Sequence, residues 1–171
     1  MFVNVDCPEK GISYKVNQPE AEHIAEAVFA VWNLYNNNGR PFIPSETVGV
    51  IVPYRHQIAR VRHEIDKYHI EELHHITIDT VERYQGSERD VIIYGFTVQR
   101  PFQLKFLTEN TFIENGHIID RKLNVAMTRA REQLLLIGNE SLLSQNPLFK
   151  ELIEYTRKTA QVCFVHSSPD S

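Results

Sequence analysis

The chain has 171 residues, of which 42% are apolar and 23% charged, the make-up of one globular domain and not of a disordered or low-complexity segment. A formal net charge of −4 excludes a global basic field, so any phosphate must be met by local clusters. No apolar run approaches the roughly 20 residues of a membrane span, and "MFVNVDCPEK" lacks the basic start and long apolar stretch of a signal peptide. Cys7 and Cys163 fit free thiols in a reducing compartment better than a disulfide. The expected setting is intracellular, cytoplasmic or nuclear, with no membrane partner.

In chain order, "FVNV" (2–5) is a short β-prone run. A helix is predicted over 17–39: Asn17 can cap, Pro19 suits the first turn, and Glu20 stands where a capping-box acid would. Ile24, Val28, Val31 and Tyr35 keep helical spacing. "VGVIVP" (48–53) reads as a buried parallel strand and 54–68 as a helix with Ile58, Val61 and Ile65 on one stripe. Strands are predicted at 76–81, 90–98 and 134–138, a helix at 147–160 and a last strand at 162–165. Residues 99–119 show no clear period. Strands apolar on both faces alternating with helices predict an α/β fold, a three-layer α/β/α arrangement around a mostly parallel sheet.

The segment "RKLNVAMTRAREQLLLIGN" (121–139) carries two arginines. On a helix over 121–132, Leu123, Ala126, Met127 and Ala130 form the stripe facing the sheet. Arg129 then lies on one flank with Lys122, and Arg131 on the other with Asn124, so the arginines are expected to do different jobs. One reading is two solvated residues edging an amphipathic helix. The other is an arginine aimed at a phosphate, where a permanently charged fork of donors suits negative charge on a transferring group.

Two further junctions carry polar residues. "TVERYQGSERDVIIYG" (80–95) joins two strands through Gln85, Gly86, Ser87 and Glu88. It reads either as a polar turn or as a ligand loop, in which Gly permits close approach, Gln bonds backbone or base, and Glu accepts from a ribose hydroxyl. Ligands in such sheets sit beyond the carboxyl ends of strands, and Thr80 fits that position. "VPYRHQ" (52–57) places Tyr54, Arg55 and Gln57 at a strand-to-helix turn, where a helix N-terminus favours anions.

The order "VGVIVPYRHQ", "TIDTVERYQGSERDVII", "RKLNVAMTRAREQLLLIGN" resembles the fourth, fifth and sixth motifs of superfamily 1 helicases, in the branch of the nonsense-mediated-decay RNA helicase and related DNA helicases. The resemblance extends to "SYKVNQPEA" (13–21) and to 138–155, nearly the whole chain. It implies that residues 1–171 form a single RecA-like domain, the second of an ATP-driven motor and a fragment of a longer polypeptide. It implies that Arg129 contacts the ATP γ-phosphate and that Gly86 and Glu88 lie by the nucleotide with Gln57, Arg55 and Tyr14, the last packing on the base. Thr80, Gln85 and Tyr54 would then meet single-stranded DNA or RNA. Glu82 lengthens an expected aspartate, Tyr84 replaces a common phenylalanine, and residues 99–119 depart from the pattern.

The chain contains no G-x-x-x-x-G-K-[ST] and no Mg²⁺-binding acidic motif. The resemblance therefore places ATP and Mg²⁺ mainly on a first RecA-like domain, the expected partner in the same polypeptide. The alternative is a standalone RecA-like module that binds protein or nucleic acid without ATPase activity. Eight histidines, including those of "HIEELHH" (69–75), do not form a metal pattern: adjacent His74 and His75 diverge and no cysteine is close, so no metal site is expected.

Overall fold

The structure is a computed structural model. It describes the backbone of residues 1–6, 13–84, 87–108, 111–114 and 117–166, with side chains up to 108 and from 122 to 158. Five strands pair in parallel: β1 (Phe2–Asn4), β2 (Val48–Ile51), β3 (Thr77–Asp79), β4 (Arg89–Gly95) and β7 (Ala130–Gly138), in the order β1-β7-β4-β2-β3. β2 is buried throughout, as expected of a strand covered on both faces.

Alternation along the strands divides the core. Val48, Val50, Val91 and Ile93 face a cluster built by Ile24, Val28 and Val31 of α1 (Gln18–Asn37), Val61 and Ile65 of α2 (Arg55–Asp66), and Leu73 of the one-turn α3 (Glu71–His74). Ile51, Ile92 and Tyr94 face the other cluster. There they meet Leu104 and Leu107 of α4 (Phe102–Thr108), Leu123 and Ala126 of α5 (Arg121–Arg129), Leu143 of α6 (Glu140–Leu143), and Phe149 and Ile153 of α7 (Pro147–His166). The three-layer α/β/α fold is therefore as predicted. Phe96 sits edge-on to both Tyr94 and Phe149, at centroid distances of 4.8 and 5.3 Å, an aromatic row within a largely aliphatic cluster.

The start of α1 differs from a capping box. Asn17 caps as predicted, its side chain accepting from the Glu20 N–H at 3.0 Å. The reciprocal bond to the Asn17 N–H comes from Gln57 Oε1 at 2.9 Å, while Gln57 Nε2 donates to the Asn17 carbonyl at 3.0 Å. Glu20 is released from the cap and buried under the sheet's end, where its Oε1 accepts from the Thr97 N–H at 2.7 Å.

Three further expectations are corrected. Residues 99–119, without a legible period, contain α4 and an antiparallel hairpin of β5 (Thr111–Glu114) with β6 (His117–Asp120). The helix predicted over 121–132 ends at Arg129, because β7 starts at Ala130 to pair with β4. Met127 is accordingly 48% exposed and Arg131 lies on a strand. Residues 162–165 belong to α7 and not to a strand.

Gly49 marks a close approach. A Cβ there would collide with the Tyr84 hydroxyl and come within 3.0 Å of its Cζ, because Tyr84 crosses β2 to donate to the Thr77 carbonyl at 2.7 Å. Gly49→Ala is expected to lower unfolding free energy by about 1–3 kcal/mol in denaturant titration. Adding Tyr84→Phe, which removes the colliding oxygen, recovers part of that loss; two strictly additive losses would contradict the packing described.

Candidate functional site

Parallel pairing gives the sheet an amino edge and a carboxyl edge, and the residues singled out in the sequence divide between them. Arg89 and Ala130 are Cα partners at the amino ends of β4 and β7. Glu88 and Arg129, each one residue earlier, therefore come to the same edge. Gln85 and Gly86 lie outside the described residues. The carboxyl edge holds Tyr14, Tyr54, Arg55 and Thr80. The expectation that the 80–95 loop lies beyond the carboxyl ends holds for Thr80 and not for Glu88, which with Arg129 is across the sheet from Thr80.

Arg129 is fixed by its neighbours in sequence. Leu123 and Ala126 hold α5 against the sheet at 5% and 0% exposure, and the chain must enter β7 at the next residue. Arg129 is half-buried and its Nε is shut off from solvent without a hydrogen-bond partner among the described residues. A buried, unmet N–H costs about 1–3 kcal/mol. Arg131 is spent: its Nε donates to Asp90 Oδ1 at 2.9 Å and its Nη2 to the Glu46 carbonyl at 2.9 Å. Asp90 Oδ2 also accepts from the Tyr35 hydroxyl at 3.0 Å. Burial first, and the Asp90 bond and charge second, push the Tyr35 hydroxyl up to about 12, so it remains a donor. Arg131 thereby ties β7 to β4 and to the lead-in of β2.

Arg89 braces the turn beside them. It is 7% exposed. Nη1 donates to Ser87 Oγ at 2.5 Å and to the Glu88 carbonyl at 2.8 Å, and Nη2 to Thr77 Oγ1 at 3.2 Å. Its Nε, like that of Arg129, is buried without a partner. Glu88 itself is exposed.

At the carboxyl edge the organising side chain is one that sequence reasoning missed. Gln103 is fully buried. Its Oε1 accepts from the N–H groups of Gln99 and Arg100 at 2.9 and 3.1 Å. Its Nε2 is shared among the Tyr14 carbonyl, the Tyr54 hydroxyl and the Thr97 carbonyl, at 2.8, 3.1 and 3.1 Å. Gln99 Nε2 reaches back to the Ser13 and Val16 carbonyls. The signal was Pro101 ahead of "FQLKF", a helix start. Gln57 is 0% exposed and occupied with Asn17, so its place is to join α1 to α2 and not to face a ligand. Arg55 is exposed at the start of α2, Tyr54 is 8% exposed, and Thr80 is half-buried immediately after β3.

Among the described residues no three His, Cys, Asp or Glu side chains gather as a metal site; His74 bonds Asp66 and His75 bonds Glu71. No helix among them is long and apolar enough to cross a membrane.

Residues 1–141 match the family model described as an AAA domain. The chain is 29% identical over 161 residues to an uncharacterized ATP-dependent helicase of Methanocaldococcus jannaschii, covering 94% of this chain and 21% of that protein. It is 35% identical over 142 residues to the DNA polymerase alpha-associated DNA helicase A of Saccharomyces cerevisiae, covering 80% and 19%. It is 34% identical over 112 residues to regulator of nonsense transcripts 1 of Dictyostelium discoideum, covering 63% and 8%. The chain thus spans about a fifth or less of each.

The carboxyl-edge network encloses a titratable group. Glu20 is fully buried, its Oε2 without a partner. Burial raises its carboxyl from the ordinary 4.5 to about 8, against the opposing effect of the Thr97 bonds. Between those values the folded chain holds a proton that the unfolded chain has lost. Stability therefore falls as pH rises through that window, by about 1.4 kcal/mol per unit, and is flat outside it. Glu20→Gln keeps an acceptor for Thr97 and cannot ionise. In thermal melts the variant is expected to match the wild type near pH 5 and to exceed it increasingly up to pH 8. Parallel pH profiles would show that Glu20 is already ionised in the fold.

Proposed function

The chain belongs to the superfamily 1 helicases and has their RecA-like fold, and from that premise we propose that it is the second RecA-like domain of an ATP-dependent helicase. In this reading Arg129 is the arginine that meets the γ-phosphate. The observation that carries it is the contrast at the amino edge: Arg131 has both ends occupied, whereas Arg129 has a buried Nε with no acceptor among the described residues. An anion entering from a facing domain supplies that acceptor. The guanidinium then offsets charge building on the transferring phosphoryl group.

Glu88 sits beside Arg129 at this edge, braced by Arg89. Glu88 and Gly86 are assigned to the nucleotide side, and Gln85 keeps its assignment to the single strand. The carboxyl-edge residues Thr80, Tyr54, Arg55 and Tyr14 are assigned to the nucleic-acid side, single-stranded DNA or RNA. This moves Arg55 and Tyr14 away from the nucleotide, because the sheet separates them from Arg129. A first RecA-like domain of the same polypeptide is proposed to contribute the phosphate loop and Mg²⁺, neither of which has its sequence motif in these 171 residues. Closure of two such domains brings Arg129 to ATP, and opening after hydrolysis shifts the grip on the strand.

Arg129→Ala in the full-length polypeptide is expected to lower ATP turnover by about 10³-fold or more, while affinity for a non-hydrolysable ATP analogue largely survives. Arg131→Ala should instead lower the melting temperature and leave turnover within several-fold. Unchanged turnover in Arg129→Ala would remove this residue from the mechanism. The 171-residue chain alone should hydrolyse ATP no faster than background.

A further inference from the structure

The carboxyl edge carries a row of four aromatic rings, of which Phe102 and Phe106 belong to none of the motifs. Phe102 meets Tyr14 edge-on at 5.1 Å, Tyr14 meets Tyr54 edge-on at 6.0 Å, and Tyr54 stacks on Phe106 at 5.3 Å and 14°. Gln103 locks the row, holding the Tyr14 carbonyl and the Tyr54 hydroxyl at once. One end is closed: Lys122 Nζ lies 4.3 Å from the Phe106 centroid and 3.9 Å from Glu82. The other end is open, with Phe102 55% exposed.

A large apolar ring held in water by a rigid frame has a purpose when a flat partner covers it. The charge around it indicates which partner. Lys15 Nζ lies 5.6 Å over the Tyr14 ring, and Arg55, Arg100 and Lys105 belong to the turns and helices that carry the row. None of these four cations makes an ion pair with a described residue. In a chain of net charge −4 this is a local basic border around exposed aromatic surface, the pairing that recognises bases strung on a phosphate backbone.

We propose that Phe102 and Tyr14, backed by Tyr54 and Phe106 and bordered by Lys15, Arg55, Arg100 and Lys105, form a base-stacking platform for single-stranded nucleic acid. The proposal rests on the helicase reading above and adds Phe102, which lies in the stretch without a family pattern. Stacking tolerates any base, so the platform grips without selecting sequence.

The test uses the full-length polypeptide and fluorescein-labelled oligouridylate and oligothymidylate, each with and without abasic positions. Phe102→Ala is expected to weaken binding of at least one base-bearing strand about ten-fold and Phe102→Trp to retain it. Wild type and Phe102→Ala should bind the abasic strands alike, with unchanged affinity for a non-hydrolysable ATP analogue and an unchanged melting temperature. Lys15→Ala should lower the slope of log affinity against log salt by about one. Unchanged affinity of Phe102→Ala for both base-bearing strands, or an equal loss on abasic ones, overturns the platform. A loss confined to the ATP analogue also overturns it, placing the rings on the nucleotide's base. If Arg129→Ala abolishes turnover while Phe102→Ala binds strands normally, the motor reading stands and the platform alone falls.

Discussion

Parallel pairing of β4 with both β2 and β7 sets the chemistry of this domain. A parallel sheet sends every connecting helix from one edge to the other, so residues close in sequence can be put to work on opposite sides. Thr80 and Glu88 are separated by a single loop, yet one follows β3 and the other precedes β4. The register of Arg89 with Ala130 also decides where α5 must stop, and with it the position of Arg129. A helix continuing to residue 132, as the apolar spacing suggested, would have carried Arg129 and Arg131 on two flanks of one cylinder. Strand pairing overrides that local preference and leaves the two guanidinium groups in unlike surroundings.

Much of the fold was legible because burial on both faces imposes uninterrupted apolar runs, and β2, β4 and the latter half of β7 follow that rule. The α1 stripe was equally plain. Two parts were not. The start of residues 99–119 is set by Gln99 and Gln103, whose side-chain hydrogen bonds reach to residues 13–16 and 54. Contacts so distant in sequence leave no periodicity to detect. Residues 162–165 are apolar and β-branched enough to suggest a strand, but they continue a helix already in progress, and propensity is a weak guide against continuity.

The site residues were legible as identities and not as geometry. Motif spacing singled out Arg129 and Glu88 together, and pairing of β4 with β7 brings them to one edge. Motif spacing could not indicate that Gln57 is consumed by the backbone of Asn17. That exchange depends on an amide able to donate and accept at once, matched to a residue whose N–H and C=O are both free at a helix start. Glu20, displaced from the box it would otherwise complete, is free to hold Thr97 at a positive φ of 57°, a conformation a β-branched residue adopts only when held there.

The paired amide bonds between Gln57 and Asn17 also bear on how the domain moves. They rivet the first turn of α1 to the first turn of α2, in a place water does not reach. Separating the two helix starts would strand a donor and an acceptor on each side, so sliding of one cylinder past the other is suppressed at its root. The starts of α1 and α2 are thereby constrained to move together.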